Sequence, residues 1–163
     1  MKVIHIVGRQ NHGKTTLVVE LVRVMTARGV RVGTIKHSSH HHEIDTHGKD
    51  SYRHREAGGS PASIVTPDLA TVFVPRTPGD DAHRRILALY AGCDLVLIEG
   101  GIDLQGPKVE VWRGEVGGPL LANERDDVIA VVSDGRPEVK VPVWPRADIC
   151  AVVDLLLARA REP

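Results

Sequence analysis

Cysteine is scarce in this sequence, whose 163 residues include two, Cys93 and Cys150. They lie far apart, match no metal-binding spacing and sit in apolar stretches, where a free cysteine behaves as a small hydrophobe. The chain therefore offers no disulfide framework, and both are expected as reduced core residues of a cytoplasmic protein. Aromatic residues amount to only 3%, so aliphatic side chains must fill the core. Net charge is also lacking: Lys and Arg total 21, as do Asp and Glu. No overall field draws the chain to nucleic acid or anionic lipid. No window reaches the roughly 18 apolar residues of a membrane span, and no signal-peptide cleavage pattern follows the short apolar run at the start.

What is present is a regular alternation of short apolar runs and helical periodicity. Residues 3–7 are rich in β-branched side chains and end at Gly8, as expected of a buried strand. Leu17, Leu21, Val24 and Met25 recur at helical spacing, with Gly29 as the stop. A second strand is expected at 30–36, which completes a βαβ unit and demands a parallel sheet. The stretch 37–48 is polar and loop-like, and 49–57 predicts a short helix ended by Gly58 and Gly59. Strands at 62–66 and 69–74 are joined by a Pro67-Asp68 turn. A helix follows at 82–90, with Ile86, Leu87 and Leu89 on its apolar face. Further strands are expected at 94–99, 108–112, 128–132 and 141–144, and an amphipathic helix at 147–161. With no repeat and no long linker, 1–163 reads as a single domain. Its class is α/β, three layers with a mostly parallel central sheet, and the G-x-x-x-x-G-K-[ST] match at residues 8–15 makes it a P-loop NTPase fold.

Residues 8–15 spell GRQNHGKT, a full match to G-x-x-x-x-G-K-[ST]. Binding a polyphosphate requires backbone N–H groups to converge on an anion, and side chains at Gly8 and Gly13 would block that approach. Lys14 would reach the β- and γ-phosphates, the Thr15 hydroxyl would ligate Mg²⁺, and Thr16 would bond the α-phosphate. The positive end of the following helix adds its field. His12 lies inside the loop and joins the candidate nucleotide contacts. The motif follows an apolar strand and opens an amphipathic helix, which is its required context.

Ligands of parallel sheets lie beyond the C-terminal ends of the strands. Glu99 stands at such an end and is the candidate metal-side acid, whereas Asp94 stands at the opposite end as a strand-entry residue. In the loop after the second strand, Asp45 is the candidate for Mg²⁺ or for the attacking water. Asp50 reads equally as a helix cap. Asp134 follows the strand at 128–132 and is the candidate for guanine recognition, since a carboxylate accepts from the ring N–H and the exocyclic amino group together. Asp-Gly is also a common turn pair, and the N-K-x-D guanine motif is absent. His37, His40, His41, His42 and His47 crowd one loop, yet no pair stands i, i+4 on a helix and no cysteine joins them. A polar loop near the ligand face is preferred to a dedicated metal site.

Several blocks in order carry a family resemblance: 8–17, TIKH at 34–37, DTHGKDSYRHREAGG at 45–59, DLVLIEG at 94–100, PKVEV at 107–111 and VVSD at 131–134. Together they resemble the molybdopterin-guanine dinucleotide biosynthesis protein B (MobB) adaptors. The resemblance implies a dimeric P-loop protein that binds GTP with Mg²⁺, hydrolyses it slowly at most, and assists the molybdenum cofactor guanylyltransferase that joins GMP to molybdopterin. It carries phosphate contacts onto Gly8, Gly13, Lys14, Thr15 and Thr16, and the metal onto Thr15 and Glu99. It leaves open the role of Lys108 and any direct contact with molybdopterin. One departure is that Gly101-Ile102 replaces the aromatic and basic residues the family often carries after the acid. Two other readings share the same loop, a small-molecule kinase and a GTP-dependent metal-delivery protein. The first needs an arginine-rich lid, which no segment supplies in the sequence.

Overall fold

The structure, a computed structural model, describes residues 2–38, 40–76 and 81–159. It falls into two compact units, Met1–Ser38 with Ala88–Pro163, and Ser39–Leu87.

The first unit is built on a six-stranded sheet in which every neighbouring pair is parallel. Its strands are β1 (Lys2–Val7), β2 (Val32–Lys36), β5 (Leu95–Glu99), β6 (Lys108–Trp112), β7 (Val128–Ser133) and β8 (Val143–Pro145), in the order β2-β5-β1-β6-β7-β8. Parallel strands need crossovers, and α1 (Lys14–Ala27) supplies the first, while α4 (Ile149–Arg159) closes the unit. β5 is a continuous aliphatic run up to Glu99, and β1 is one broken only by His5, because both are buried on both faces. On one face Ile4, Ile6, Leu97, Val109, Ala130 and Val132 meet Leu17 and Leu21 of α1 and Val152 and Leu156 of α4 in a single apolar cluster. On the opposite face Ile102 and the 3₁₀ turn Leu121–Asn123 pack on Val7 and Val128, so the covering chain at that part of the sheet is mostly loop.

That loop layer needs polar partners from the strands. Glu110, nearly inaccessible, accepts the N–H groups of Leu121 and Ala122, each at 2.9 Å. Lys108 is fully buried and donates to the carbonyls of Leu104 (2.6 Å) and Gly106 (3.3 Å) and to Asp127 (2.7 Å). His5 Nε2 lies 3.1 Å from the Gln105 carbonyl. The role of Lys108, open in the sequence, is therefore to hold the chain that follows Glu99 against the sheet.

Several expected boundaries move, each for a local reason. β2 begins at Val32 because Val30 belongs to the helix terminus, its N–H returning to Met25 O at 3.0 Å with Gly29 at φ 78°. α4 begins at Ile149 because Asp148 is its cap, accepting the N–H of Ala151 at 2.9 Å. The end of the expected helix, 160–161, lies outside the described residues. Tyr90 does not continue α3 (Ala82–Ala88); its ring lies against Gly33 and its hydroxyl donates to Thr34 O at 2.8 Å. Leu89 and Ile86, expected on an apolar helix face, are exposed. Cys150, expected in the core, is exposed in the first turn of α4, while Cys93 is partly buried near Gly33.

The second unit contains α2 (Asp50–Glu56) and the antiparallel hairpin β3 (Ala62–Val65) and β4 (Ala70–Phe73). The segment 45–59 folds on itself. Asp45 accepts from the Ser51 hydroxyl (3.0 Å), the Thr46 N–H (2.8 Å) and Arg55 (3.2 Å). Arg55 also pairs with Glu43 at 3.0 Å, and its guanidinium lies 4.8 Å from the Phe73 ring centre. Lys49 holds the N-cap position without a side-chain cap bond, so Asp50 stands in the first turn and does not cap the helix.

Candidate nucleotide-binding site

Because the sheet of the first unit is parallel, its strands all end on one side, and β1 lies where the strand order turns from β2 and β5 towards β6 and β7. The residues that leave those ends are the loop after Val7, Lys36, Glu99, Trp112-Arg113 and Ser133-Asp134.

The loop after β1 is shaped by its glycines. Gly8 has φ 140°, and a Cβ there would lie 2.5 Å from Val111 O of β6. Only glycine lets the loop pass that backbone. Gly13 is left-handed at φ 84° and precedes α1, which has neither a side-chain cap nor an acid in its first turn. The first N–H groups of α1 are thus left for an external anion. Lys14 arches back over the loop and donates to Arg9 O at 2.8 Å. Burial lowers its pKa, with Lys36 acting in the same sense and Glu99 opposing. Arg9 ties the loop outward to Pro119 O (3.0 Å) and Glu124 (2.9 Å).

The side chain of His12 turns towards Trp112 and Arg113. It is buried, its ring stacks on Trp112 with centres 6.5 Å apart, and Nδ1 accepts the Arg113 N–H at 3.0 Å. Burial first, then the charges of Lys14, Arg113 and Arg9, lower its pKa, and a ring that accepts on Nδ1 carries its proton on Nε2.

Thr15 and Glu99 come together: the Thr15 hydroxyl donates to Glu99 Oε1 at 2.7 Å. The same carboxylate oxygen is the partner of the Lys36 ammonium. A hydroxyl and a mostly buried carboxylate facing one another beside open N–H groups suit a divalent cation, which takes oxygen ligands. Thr16 is exposed on the same turn. Asp134 accepts the Gly114 N–H at 3.1 Å and lies 3.6 Å from Arg113 Nε. The adjoining turn is closed by the Gly135 N–H on Ser133 Oγ at 2.9 Å. Asp134 therefore steadies the segment after β6 and keeps lone pairs for a further donor.

Two residues at this edge carry no role in the sequence analysis, Lys36 and Arg113. Both leave the C-terminal end of a strand, and the rule that selects Glu99 selects them as well. The Arg113 side chain passes 3.8 Å from where a Gly13 Cβ would stand and is held by Glu115 at 3.1 Å. Asp45 belongs to the second unit, where it is only 7% exposed and committed to Ser51 and Arg55. Among the described residues, no three His, Cys, Asp or Glu side chains are grouped so as to hold a metal ion. Nor is any helix among them long and apolar enough to cross a membrane.

The chain is similar to proteins already characterised. The molybdopterin-guanine dinucleotide biosynthesis adapter protein of Haemophilus influenzae is 35% identical over 134 residues, covering 81% of this chain and 74% of that protein. The adapter protein of Escherichia coli K12 is 32% identical over 151 residues, 89% of this chain and 85% of its own length. A crystal structure of a MobB homolog from Bacillus stearothermophilus superposes with a TM-score of 0.68 at 27% identity, over 97% of both chains. That of Bacillus subtilis MobB, at 24% identity and full coverage of both, gives 0.74 and speaks for the fold alone. The family model for molybdopterin guanine dinucleotide synthesis protein B matches residues 3–134. From Gly8 to Asp134 the strand-end residues just described fall within that match, and the chain belongs to the MobB family.

Proposed function

We propose that the protein is a GTP-binding adaptor in molybdopterin guanine dinucleotide synthesis, acting with the molybdenum cofactor guanylyltransferase that attaches GMP to molybdopterin. The observation that carries the nucleotide reading is the 2.7 Å contact of Thr15 with Glu99 beside an uncapped helix N-terminus. The adaptor role is supported by the names of the curated relatives. In this reading the N–H groups from Gly13 to Thr16 cradle the phosphates, and Lys14 exchanges the Arg9 carbonyl for a β- or γ-phosphate oxygen. Mg²⁺, held through Thr15 and Glu99, would neutralise the developing phosphate charge. Asp134 accepts from the guanine edge with its remaining lone pairs. Hydrolysis is slow at most, and the protein works as a cytoplasmic homodimer that changes its hold on the transferase with nucleotide state.

Calorimetric titration with slowly hydrolysed GTP and ATP analogues, with and without Mg²⁺, tests this reading. Mg²⁺-dependent binding of the GTP analogue, weaker for ATP and lost in Lys14→Ala, is the expected result. Preference for ATP would overturn the guanine assignment and favour the kinase reading. Asp45→Asn separates two roles: unchanged binding with lost hydrolysis marks a catalytic acid, whereas a lowered melting point alone marks the loop-holding role.

A further inference from the structure

Glu99 lies at the end of β5 with its side chain only 8% exposed. A buried carboxylate needs a cation or several donors, since an uncompensated charge out of water is costly. Two ammonium groups stand near it: Lys36 bonds it directly, and Lys14 is close enough to feel its charge. Their positions differ. Lys14 is turned to Arg9 O at 2.8 Å, while Lys36 sits on Glu99 Oε1, the oxygen that also receives the Thr15 hydroxyl.

We propose that Lys36 is the resident counter-ion of Glu99, and that a divalent cation must displace it to use the Thr15–Glu99 pair. The inference rests on the nucleotide-binding reading and adds how the site is kept from free metal. Lys36 is the last residue of an edge strand, and its side chain is 62% exposed. Its flexible stem can release the ammonium to water at small cost. A metal ion and an ammonium cannot share one carboxylate oxygen without like-charge repulsion. Free metal therefore competes against a built-in cation. Metal arriving with a phosphate chain does not face the same penalty, because the phosphates offer the leaving ammonium an anion. Binding of metal and of polyphosphate is coupled through this exchange, and the lysine is a positioning residue that sets metal affinity.

The test uses Mn²⁺ as the probe, with free ion read by electron paramagnetic resonance on the full chain, alone and with GDP. Lys36→Met should bind Mn²⁺ about tenfold more tightly than wild type without nucleotide, the factor equal to one pK unit of charge interaction. The gain should be smaller with GDP. Lys36→Arg, which keeps the cation, should stay near wild type. In a Glu99→Gln background the effect of Lys36→Met should vanish, as a double-mutant cycle requires. Lys36→Gln serves as a second neutral variant should the methionine protein fail to fold, which circular dichroism reports. Unchanged or weaker Mn²⁺ binding in both neutral variants would overturn the proposal and leave Lys36 as a support for Glu99. If wild type binds neither GDP nor a GTP analogue in the presence of metal, the phosphate-site reading falls with it. Nucleotide binding without a Lys36 effect removes this inference alone, and a preference for adenine would leave it standing.

Discussion

On the side of the sheet packed by α1 and α4, the strands turn inward Ile4, Ile6, Leu97, Val109 and Val132. On the other side β1 and β6 present His5, Lys108 and Glu110, all of them buried, beside Val7. The difference follows from what covers each face. A helix satisfies its own backbone and asks only for apolar contact, so aliphatic side chains suffice. Irregular chain arrives with N–H and C=O groups that have no internal partner, and each must be matched when buried. Glu110 matches two N–H groups, Lys108 two carbonyls, and His5 one. A buried charge in a strand is here the counterpart of a loop on its surface.

Substitutions on the two faces should break this contrast in different ways. The largest loss is expected from Leu97→Ala on the helix face, about 3 kcal/mol from lost burial and an unfilled cavity. Denaturant unfolding should register it with amide exchange accelerated throughout the sheet. Glu110→Ala should cost about 2 kcal/mol, because two buried N–H groups lose their acceptor. Its signature is local, with exchange at Leu121 and Ala122 rising more than in β5. Equal acceleration everywhere would show that the loop layer has no separate dependence on Glu110. Glu110→Gln, which keeps one acceptor oxygen, should cost about half as much.

A subtler separation comes from pH. Arg125 first, and then Lys108, hold Asp127 down from 3.8 to about 2. A carboxylate whose folded pKa is depressed contributes stability above its unfolded pKa and loses it as pH falls through the folded value. The loop face should therefore weaken between about pH 4 and pH 2, and Asp127→Asn should flatten that part of the stability curve. Asp94 is also held to about 2, by Arg31, so the flattening should be partial. The smallest effect concerns His12, whose lowered pKa means the folded state binds fewer protons just below pH 6.5. Stability should fall as pH drops through that range, and proton NMR should show the ring still neutral where exposed histidines are charged.

The helix face was the more legible in the sequence. Central parallel strands are continuous aliphatic runs, and β1, β5 and β7 could be located from them. The loop at residues 8–15 stands out in the sequence because phosphate-binding chemistry demands fixed residues at fixed spacing. The position of Glu99 at a strand end is legible in the sequence, whereas its contact with Thr15, 84 residues away, is not. The loop face was not legible, since a lysine inside a strand looks like a surface residue until the carbonyls that surround it are known. The inward turn of His12 depends on Arg113 and Trp112, a hundred residues away in the chain. Asp148 was taken into α4 because its cap bond to Ala151 carries no periodicity.

Tyr90 has a consequence beyond its local packing. β2 is an edge strand, and with His37 N–H directed to Glu99 O, alternation turns the Thr34 carbonyl outward. That acceptor is already taken by the Tyr90 hydroxyl at 2.8 Å. A strand from another molecule seeking to extend the sheet would find the middle of its template occupied by a phenol. An aromatic residue in a chain with so few of them thus limits unwanted growth of the sheet, a task usually left to charge or proline.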